Sequence, residues 1–184
     1  MKNVGKQFES AFKNSVPDYC DILRLNDAPQ AFIQNRNTRF APKNPCDFVM
    51  HDTERNIVYY IECKSTKYKS FSYEDIYSSE PQQKMIHKHQ ILGLEKHSNF
   101  KYQVAGFLFN FRDEEHDMER TYFQNIKDFM KMYSSLDKHS CNEMDLILNG
   151  AIKVNGIKKR TVYNWNIDEL LNTIGGSVIW KIMK

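Results

Sequence analysis

The sequence predicts an α/β fold in which a mixed β-sheet is flanked by helices. Residues 57–61 and 103–110 are rich in β-branched and aromatic side chains, which is typical of strands. Residues 4–12 and 126–133 instead carry apolar side chains at helical spacing. Strand and helix patterns alternate along the chain, and this alternation favours a sheet covered by helices. With 184 residues, of which 41% are hydrophobic, the chain is expected to form a single domain over residues 1–184.

The amino-terminal third predicts a helix, a strand and a hairpin. A first helix is expected over residues 2–14, ended by Pro17, and a short strand over residues 21–25. Residues 26–45 contain three prolines and predict an irregular segment or a hairpin with a mobile tip. Polar residues 52–56 separate two further strand patterns, so residues 46–50 and 57–64 predict a β-hairpin.

The remaining elements follow from the same patterns. Residues 65–81 predict a polar loop whose aromatic side chains pack on the body of the protein, the alternative being that they stack on unpaired bases. The other expected elements are a helix from Pro81 to about Lys96 with inward-facing residues that include His89 and Leu92, strands at 103–110 and 121–124 joined by a charged turn, a helix at 126–133, a helix at 141–148, short strands at 152–155 and 161–165, a capped helix at 166–171 and a last strand at 177–182.

Composition excludes several classes of protein. The net charge of +3 excludes a histone-like polycation, so any nucleic-acid surface must be a local basic patch. No apolar run is long enough to span a bilayer and the amino terminus lacks a signal-peptide core, which predicts an intracellular protein. The four cysteines are widely separated, so reduced and mostly buried thiols are expected.

The predicted hairpin carries a charged constellation. Side chains alternate along a strand, so Glu62 and Lys64 share one face while Cys63 takes the other. If the two strands pair, Asp47 comes close to Glu62. Two adjacent carboxylates repel each other unless a cation lies between them, and oxygen ligands suit Mg²⁺ or Mn²⁺. Lys64 would then orient or deprotonate a water molecule, or stabilise charge on a phosphate. The alternative interpretation is the solvated face of a half-buried sheet.

Four short motifs resemble those of PD-(D/E)XK nucleases. They are Gly5-Lys6-Gln7-Phe8-Glu9, Cys46-Asp47-Phe48, Ile61-Glu62-Cys63-Lys64-Ser65-Thr66 and His87-Lys88-His89-Gln90. Within that superfamily the chain most resembles the RecU-type Holliday junction resolvases of bacteria and phages. The family stalk would have to come from residues 25–43. The resemblance implies a restriction-endonuclease-like fold over the whole chain.

The resemblance also implies roles for individual residues. Asp47 and Glu62 match the metal-binding carboxylates, the carbonyl of Cys63 completes the metal shell, and Lys64 matches the catalytic lysine. Glu9 matches an acidic residue of the first helix that reaches the metal directly or through water. Gln90 matches a glutamine on the helix behind the active strand, where it touches the site or the DNA backbone.

The function expected on this basis is Mg²⁺-dependent cleavage of branched DNA, with Mn²⁺ as the alternative cofactor and a homodimer as the acting form. Two alternatives are a restriction or repair nuclease that cuts ordinary duplex, and a noncatalytic DNA-binding protein of the same fold. The two histidines at 87 and 89 are expected on different faces of a helix, which disfavours a zinc site. Expected DNA contacts are Arg36, Arg39, Lys43, Lys67, Lys69 and Lys88.

Overall fold

A six-stranded mixed sheet forms the centre of the protein. The computed structural model describes residues 3–25, 44–80 and 82–182, with side chains described as far as Gly176. The strands are β1 (Cys20–Arg24), β2 (Phe48–Asp52), β3 (Ile57–Thr66), β4 (Ser70–Ser72), β5 (Gln103–Asp113), β6 (Met118–Asn125), β7 (Ser140–Asn142), β8 (Ile152–Val154), β9 (Gly156–Lys159) and β10 (Val162–Trp165). The helices are α1 (Val4–Lys13), α2 (Lys88–Ser98), α3 (Ile126–Ser135), α4 (Glu143–Leu148) and α5 (Ile167–Ile182).

The order of strands in the main sheet is β1-β2-β3-β5-β6-β8. Among the described strands of this sheet, only β3 and β5 run parallel, and helix α2 makes the crossover between them, as a parallel connection requires. The other neighbouring strands of this sheet pair antiparallel. Two small ribbons, β9 with β10 and β4 with β7, lie outside the main sheet. The predicted mixed sheet flanked by helices is confirmed.

Apolar side chains are buried in two clusters, one on each face of the sheet. One cluster joins Phe12 of α1 and Leu171 of α5 to the sheet, and the other joins Leu94 of α2 and Phe129 of α3. Both faces of β3 are therefore covered, which explains why its sequence is nearly continuous in apolar residues before Glu62. A charged side chain on this strand is forced into a largely dry environment.

Helix α2 begins later than the sequence predicted. It starts at Lys88 instead of near Pro81, because the preceding residues join the loop after β4, where Ile86 N–H donates to Ser72 O at 3.0 Å. Its inward face is also shifted: Ile91 is fully buried, whereas Leu92 is 40% exposed. The predicted separation of the two histidines was wrong, since the ring of His87, which caps the helix, stacks on that of His89 with centroids 5.6 Å apart.

The carboxyl-terminal region corrects two further predictions. The predicted helix at 141–148 begins only at Glu143, because the preceding residues form β7 against β4. The predicted last strand at 177–182 is wrong, since α5 continues to Ile182. Its β-branched residues suggested a strand, but intrinsic propensity is a weak constraint, and the helix is well started by Asn166, whose side chain accepts from Glu169 N–H at 3.2 Å.

Several predictions concern features outside the main sheet. The predicted stalk segment lies outside the described residues, together with Arg36, Arg39 and Lys43. All four cysteines are free and buried, as expected. Of the residues between 65 and 81, Phe71 and Tyr73 pack inside the protein, whereas Tyr77 is 82% exposed. Within the described part of the chain, no helix is both long and apolar enough to cross a membrane.

Candidate active site

The hairpin of β2 and β3 brings Asp47 beside Glu62. Phe48 pairs with Ile61 across the two strands, so Asp47, one residue earlier, lies next to Glu62. The backbone N–H of Cys63 donates to Asp47 Oδ2 at 2.9 Å, which fixes the aspartate at the edge of the strand. Glu62 is only 3% exposed. The residue spacing in the sequence and the strand register therefore place both carboxylates in one small region.

Lys64 reaches the same region from two residues further along β3. Its Nζ lies 3.0 Å from Glu62 Oε1, and its side chain is 16% exposed. The contact follows from the period of the strand, because residues two apart project from the same face. A partly buried ammonium group beside a buried carboxylate is able to donate hydrogen bonds to an anion that enters the site.

Helix α2 supplies an amide to this site. Gln90 Nε2 donates to Glu62 Oε1, while Gln90 Oε1 accepts from His87 N–H at 2.9 Å. The second contact determines the orientation of the amide, since the oxygen faces the helix N-terminus and the NH₂ group must face the carboxylate. Gln90 thus joins the first turn of α2 to Glu62.

Glu9 of α1 borders the site and is paired with a cation. Its Oε2 accepts from Arg24 Nη2 at 2.5 Å and from Arg24 Nε at 2.9 Å. A cleft of about 190 Å³ lies here, lined by Lys6, Glu9, Ser10, Lys13, Arg24 and Phe48. Glu9 is close enough for its charge to raise the pKa of both Asp47 and Glu62. Whether it contacts a metal remains a prediction.

The two central carboxylates are electrostatically unfavourable as anions. Burial raises the pKa of Glu62 from 4.5 to about 7, against the opposing effect of Lys64, and the neighbouring Asp47 raises it further. Burial likewise raises the pKa of Asp47 from 3.8 to about 6, although the Cys63 N–H opposes this. Desolvation therefore exceeds the compensation that Lys64 and the backbone provide. A divalent cation is the natural counter-charge for such a pair.

The donor set fits Mg²⁺ or Mn²⁺. Both central side chains offer hard oxygen ligands, and Mg²⁺ is commonly held by one or two carboxylates while it keeps several waters. In the described residues, no three His, Cys, Asp or Glu side chains come together as a metal-binding group. The two carboxylates of Asp47 and Glu62 are the side-chain oxygen ligands that the centre of this site offers.

The basic residues predicted to contact DNA have different settings. Lys67 and Lys69 are exposed directly after β3, on either side of Tyr68, which is 68% exposed. Lys88 opens α2, and its Nζ donates to Ser78 O at 3.1 Å. Lys67 and Lys69 therefore extend from the end of the strand that carries Lys64.

Two residues around the site were missed by reasoning from the sequence. Arg24 holds Glu9, and Glu74 accepts hydrogen bonds at the start of α2 from His87 Nδ1 at 2.9 Å and Lys88 N–H at 2.6 Å. Each contact joins residues that are at least thirteen positions apart, across a tertiary interface. Neither forms a recognisable motif, so no sequence signal identified them.

Comparisons with known proteins find a related sequence and a similar structure. No family model matches the chain. The SPbeta prophage-derived uncharacterized protein YotM of Bacillus subtilis (strain 168) is 25% identical over 180 residues, which cover 91% of this chain and 85% of that protein. Hjc of Archaeoglobus fulgidus, a Holliday junction resolvase from an archaeal hyperthermophile, is structurally similar with a TM-score of 0.46 and 14% identity, over 81% of this chain and 95% of Hjc.

Proposed function

We propose that this chain is a Mg²⁺-dependent DNA endonuclease of the PD-(D/E)XK type, with Mn²⁺ as an alternative metal. The observation that supports this most is the group of Asp47, Glu62 and Lys64 on one hairpin, in which Glu62 is buried, the other two are partly buried and both carboxylates have raised pKa values. A solvated strand face, the competing interpretation, would leave these side chains in water. Instead, Glu62 is 3% exposed and contacts Lys64 and Gln90.

The proposed metal ligands are Asp47, Glu62 and, by resemblance, the carbonyl of Cys63, with Glu9 at the margin. When bound, the metal supplies Lewis-acid polarisation of the scissile phosphate and a lower pKa for water. Lys64 holds the attacking water or donates to a phosphate oxygen as negative charge develops there. Gln90 keeps Glu62 in position by its hydrogen bond.

The proposed substrate is DNA, and by resemblance a branched recombination intermediate such as a four-way junction. Lys67, Lys69 and Lys88, with Arg36, Arg39 and Lys43 outside the described residues, are the proposed phosphate contacts. Symmetric cleavage of a two-fold junction needs two sites related by two-fold symmetry, so we propose a homodimer as the acting form. The prophage relative is consistent with a phage-borne enzyme that works inside a bacterial cell.

The test is a cleavage assay on four substrates: a labelled four-way junction, linear duplex, a flap and single-stranded DNA, each with Mg²⁺, Mn²⁺ or EDTA. Wild type is compared with Asp47→Asn and Lys64→Ala, and Lys131→Ala is the control because that lysine is exposed on α3 and pairs with Asp128. We expect paired nicks in the junction that require a divalent metal, and a loss of about 100-fold or more in the first two variants only.

Other results of this cleavage assay would support one of the alternative functions or refute the proposed site. Cutting of plain duplex with equal efficiency would replace the junction resolvase by a restriction or repair nuclease. Binding of DNA without cleavage under any metal condition would identify a noncatalytic DNA-binding protein. Cleavage that survives in both Asp47→Asn and Lys64→Ala would refute the proposed site, whatever the substrate.

A further inference from the structure

A chain of hydrogen bonds connects the loop after β4 to the candidate site, and Glu74 stands at its start. Glu74 Oε2 accepts from Lys88 N–H at 2.6 Å, and Glu74 Oε1 pairs with His87 Nδ1 at 2.9 Å. From His87 the backbone N–H donates to Gln90 Oε1 at 2.9 Å, and Gln90 Nε2 donates to Glu62. These contacts connect Glu74, which lies in the predicted polar loop over residues 65–81, to Glu62, which is a predicted metal ligand.

We propose that Glu74 is a positioning residue for the site, acting through the first turn of α2 on Gln90 and thereby on Glu62. This inference rests on the proposed nuclease function and deepens it. Each oxygen of Glu74 accepts from one donor at the start of α2. Two separate contacts restrict both the shift of this first turn along the helix axis and its rotation about that axis. Gln90 is the third residue of the helix, and its amide cannot keep both of its contacts if the turn moves.

The surroundings of Glu74 support a positioning role over a general surface role. Its side chain is 17% exposed, and its backbone N–H also donates to Ile86 O at 2.9 Å. The backbone of Glu74 is therefore held by the segment before α2, and its carboxylate by the start of the helix. Negative charge at a helix N-terminus is also favourable.

The chemistry of the carboxylate makes the role testable by substitution. A carboxylate is an acceptor at both oxygens, whereas a glutamine amide offers one acceptor and one NH₂ group. Glu74→Gln therefore keeps the length of the side chain and an acceptor for Lys88 N–H, but it removes the negative charge and keeps the contact with His87 only if Nδ1 changes from donor to acceptor. Glu74→Ala loses both contacts, so we expect a larger effect on Gln90 and on kcat in Glu74→Ala than in Glu74→Gln.

Residues 113–116 provide a matched control. Asp113 Oδ1 accepts from His116 N–H at 3.1 Å, and its Oδ2 pairs with His116 Nδ1 at 2.9 Å. The contacts are of the same kind as those of Glu74, but they lie in the exposed turn between β5 and β6. Asp113→Asn should therefore disturb a local turn and leave the candidate site unchanged.

The experiment combines two readouts. The first is the pair of side-chain NH₂ signals of Gln90 in ¹⁵N–¹H NMR spectra, which report the hydrogen bond to Glu62 and do not depend on activity. The second is junction cleavage by the full chain, with kcat and KM measured separately. We expect shifted Gln90 signals and a kcat lowered about 10-fold in Glu74→Gln and towards 100-fold in Glu74→Ala, with KM unchanged and with wild-type behaviour in Asp113→Asn.

Two results would overturn the proposal. The first is unshifted Gln90 signals in Glu74→Ala, which would show that Glu74 does not act on Gln90. The second is a loss of kcat in Asp113→Asn equal to that in Glu74→Gln, which would show a general effect of losing such a contact. If wild type cuts no DNA, the proposed function fails, and the Gln90 signals still decide whether Glu74 positions the site.

Discussion

Replacing Glu62 with glutamine is expected to stabilise the metal-free protein while it abolishes activity. Glu62 is buried, and burial raises its pKa from 4.5 to about 7 despite the neighbouring Lys64. The folded state therefore favours the protonated, neutral carboxyl group. Glutamine has nearly the same shape and carries no charge at any pH, so it avoids the cost of ionising a buried acid.

The size of the effect follows from the two pKa values. A change from 4.5 to about 7 corresponds to about 3 kcal/mol of folding free energy. Because the folded-state pKa is raised, this free energy is fully present below pH 4.5 and is lost as the pH rises through about 7. Wild type and Glu62→Gln should therefore be similarly stable near pH 4, and the variant should gain up to about 3 kcal/mol by pH 8.

Urea unfolding measured at several pH values in EDTA gives the comparison directly, with Glu54→Gln as control. Glu54 lies on the same hairpin, but its side chain is 59% exposed. Addition of Mg²⁺ at about 1,000 times Kd should reverse the order of stability at pH 8, because a metal that binds the native carboxylates then stabilises wild type by about 4 kcal/mol, which exceeds the gain of the variant. The variant lacks one of the two proposed ligands and should respond weakly.

The reasoning would be refuted by a variant that is less stable than wild type at pH 8 in EDTA. Such a result would mean that the Lys64 and Gln90 contacts of ionised Glu62 outweigh its desolvation. A stability difference that does not change with pH would refute it equally, since the argument attributes the difference to one titrating group.

Three further outcomes are expected. Phe129→Ala should lower the free energy of urea unfolding by about 3–5 kcal/mol, because the ring is fully buried, and a loss under about 1 kcal/mol would contradict its place in the core. Burial opposes ionisation of Glu143, but the Arg120 guanidinium outweighs this effect and holds the pKa of Glu143 below 4.5. In urea titrations at pH 7, wild type should therefore be more stable than Glu143→Gln. This difference in stability should vanish as the pH falls through the folded-state pKa of Glu143. If the exposed ring of Tyr68 stacks on DNA bases, Tyr68→Ala should weaken junction binding in gel-shift assays about fivefold or more, while Tyr68→Phe should bind like wild type. An equal loss of binding in Tyr102→Ala, which removes another exposed ring, would contradict this stacking role.

The hairpin and its charged face could be predicted because they depend on local rules. Alternation along β3 places Glu62 and Lys64 together, and the polar turn before Ile57 sets the pairing that brings in Asp47. The contact of Gln90 with Glu62 is a different case. It was expected only from the resemblance to a family, since nothing in the local pattern relates residue 90 to residue 62.

The errors in the predicted elements have tertiary causes. The start of α2 was misplaced because Ile86 pairs with Tyr73 in the loop after β4, and local propensity does not detect such pairing. The last strand was misplaced because β-branched residues near the end of the chain belong to a long helix. Glu74 escaped notice for a related reason, since its partners at the start of α2 become neighbours only when the loop folds against the helix.

The β2–β3 hairpin contains two buried carboxylates, Asp52 and Glu62, and a comparison of their partners shows what is unusual about Glu62. Asp52 is fully buried, yet it accepts from Arg55 Nη1 at 2.8 Å and from the backbone N–H groups of Glu54 and Arg55 at 3.1 and 3.0 Å. A buried acid that serves only folding is expected to be satisfied in this way. At the other end of the hairpin, Glu62 has a lysine and an amide, and its pKa is still raised to about 7. Stability alone does not favour such an acid, and the proposed cation would supply at Glu62 the counter-charge that Arg55 supplies at Asp52.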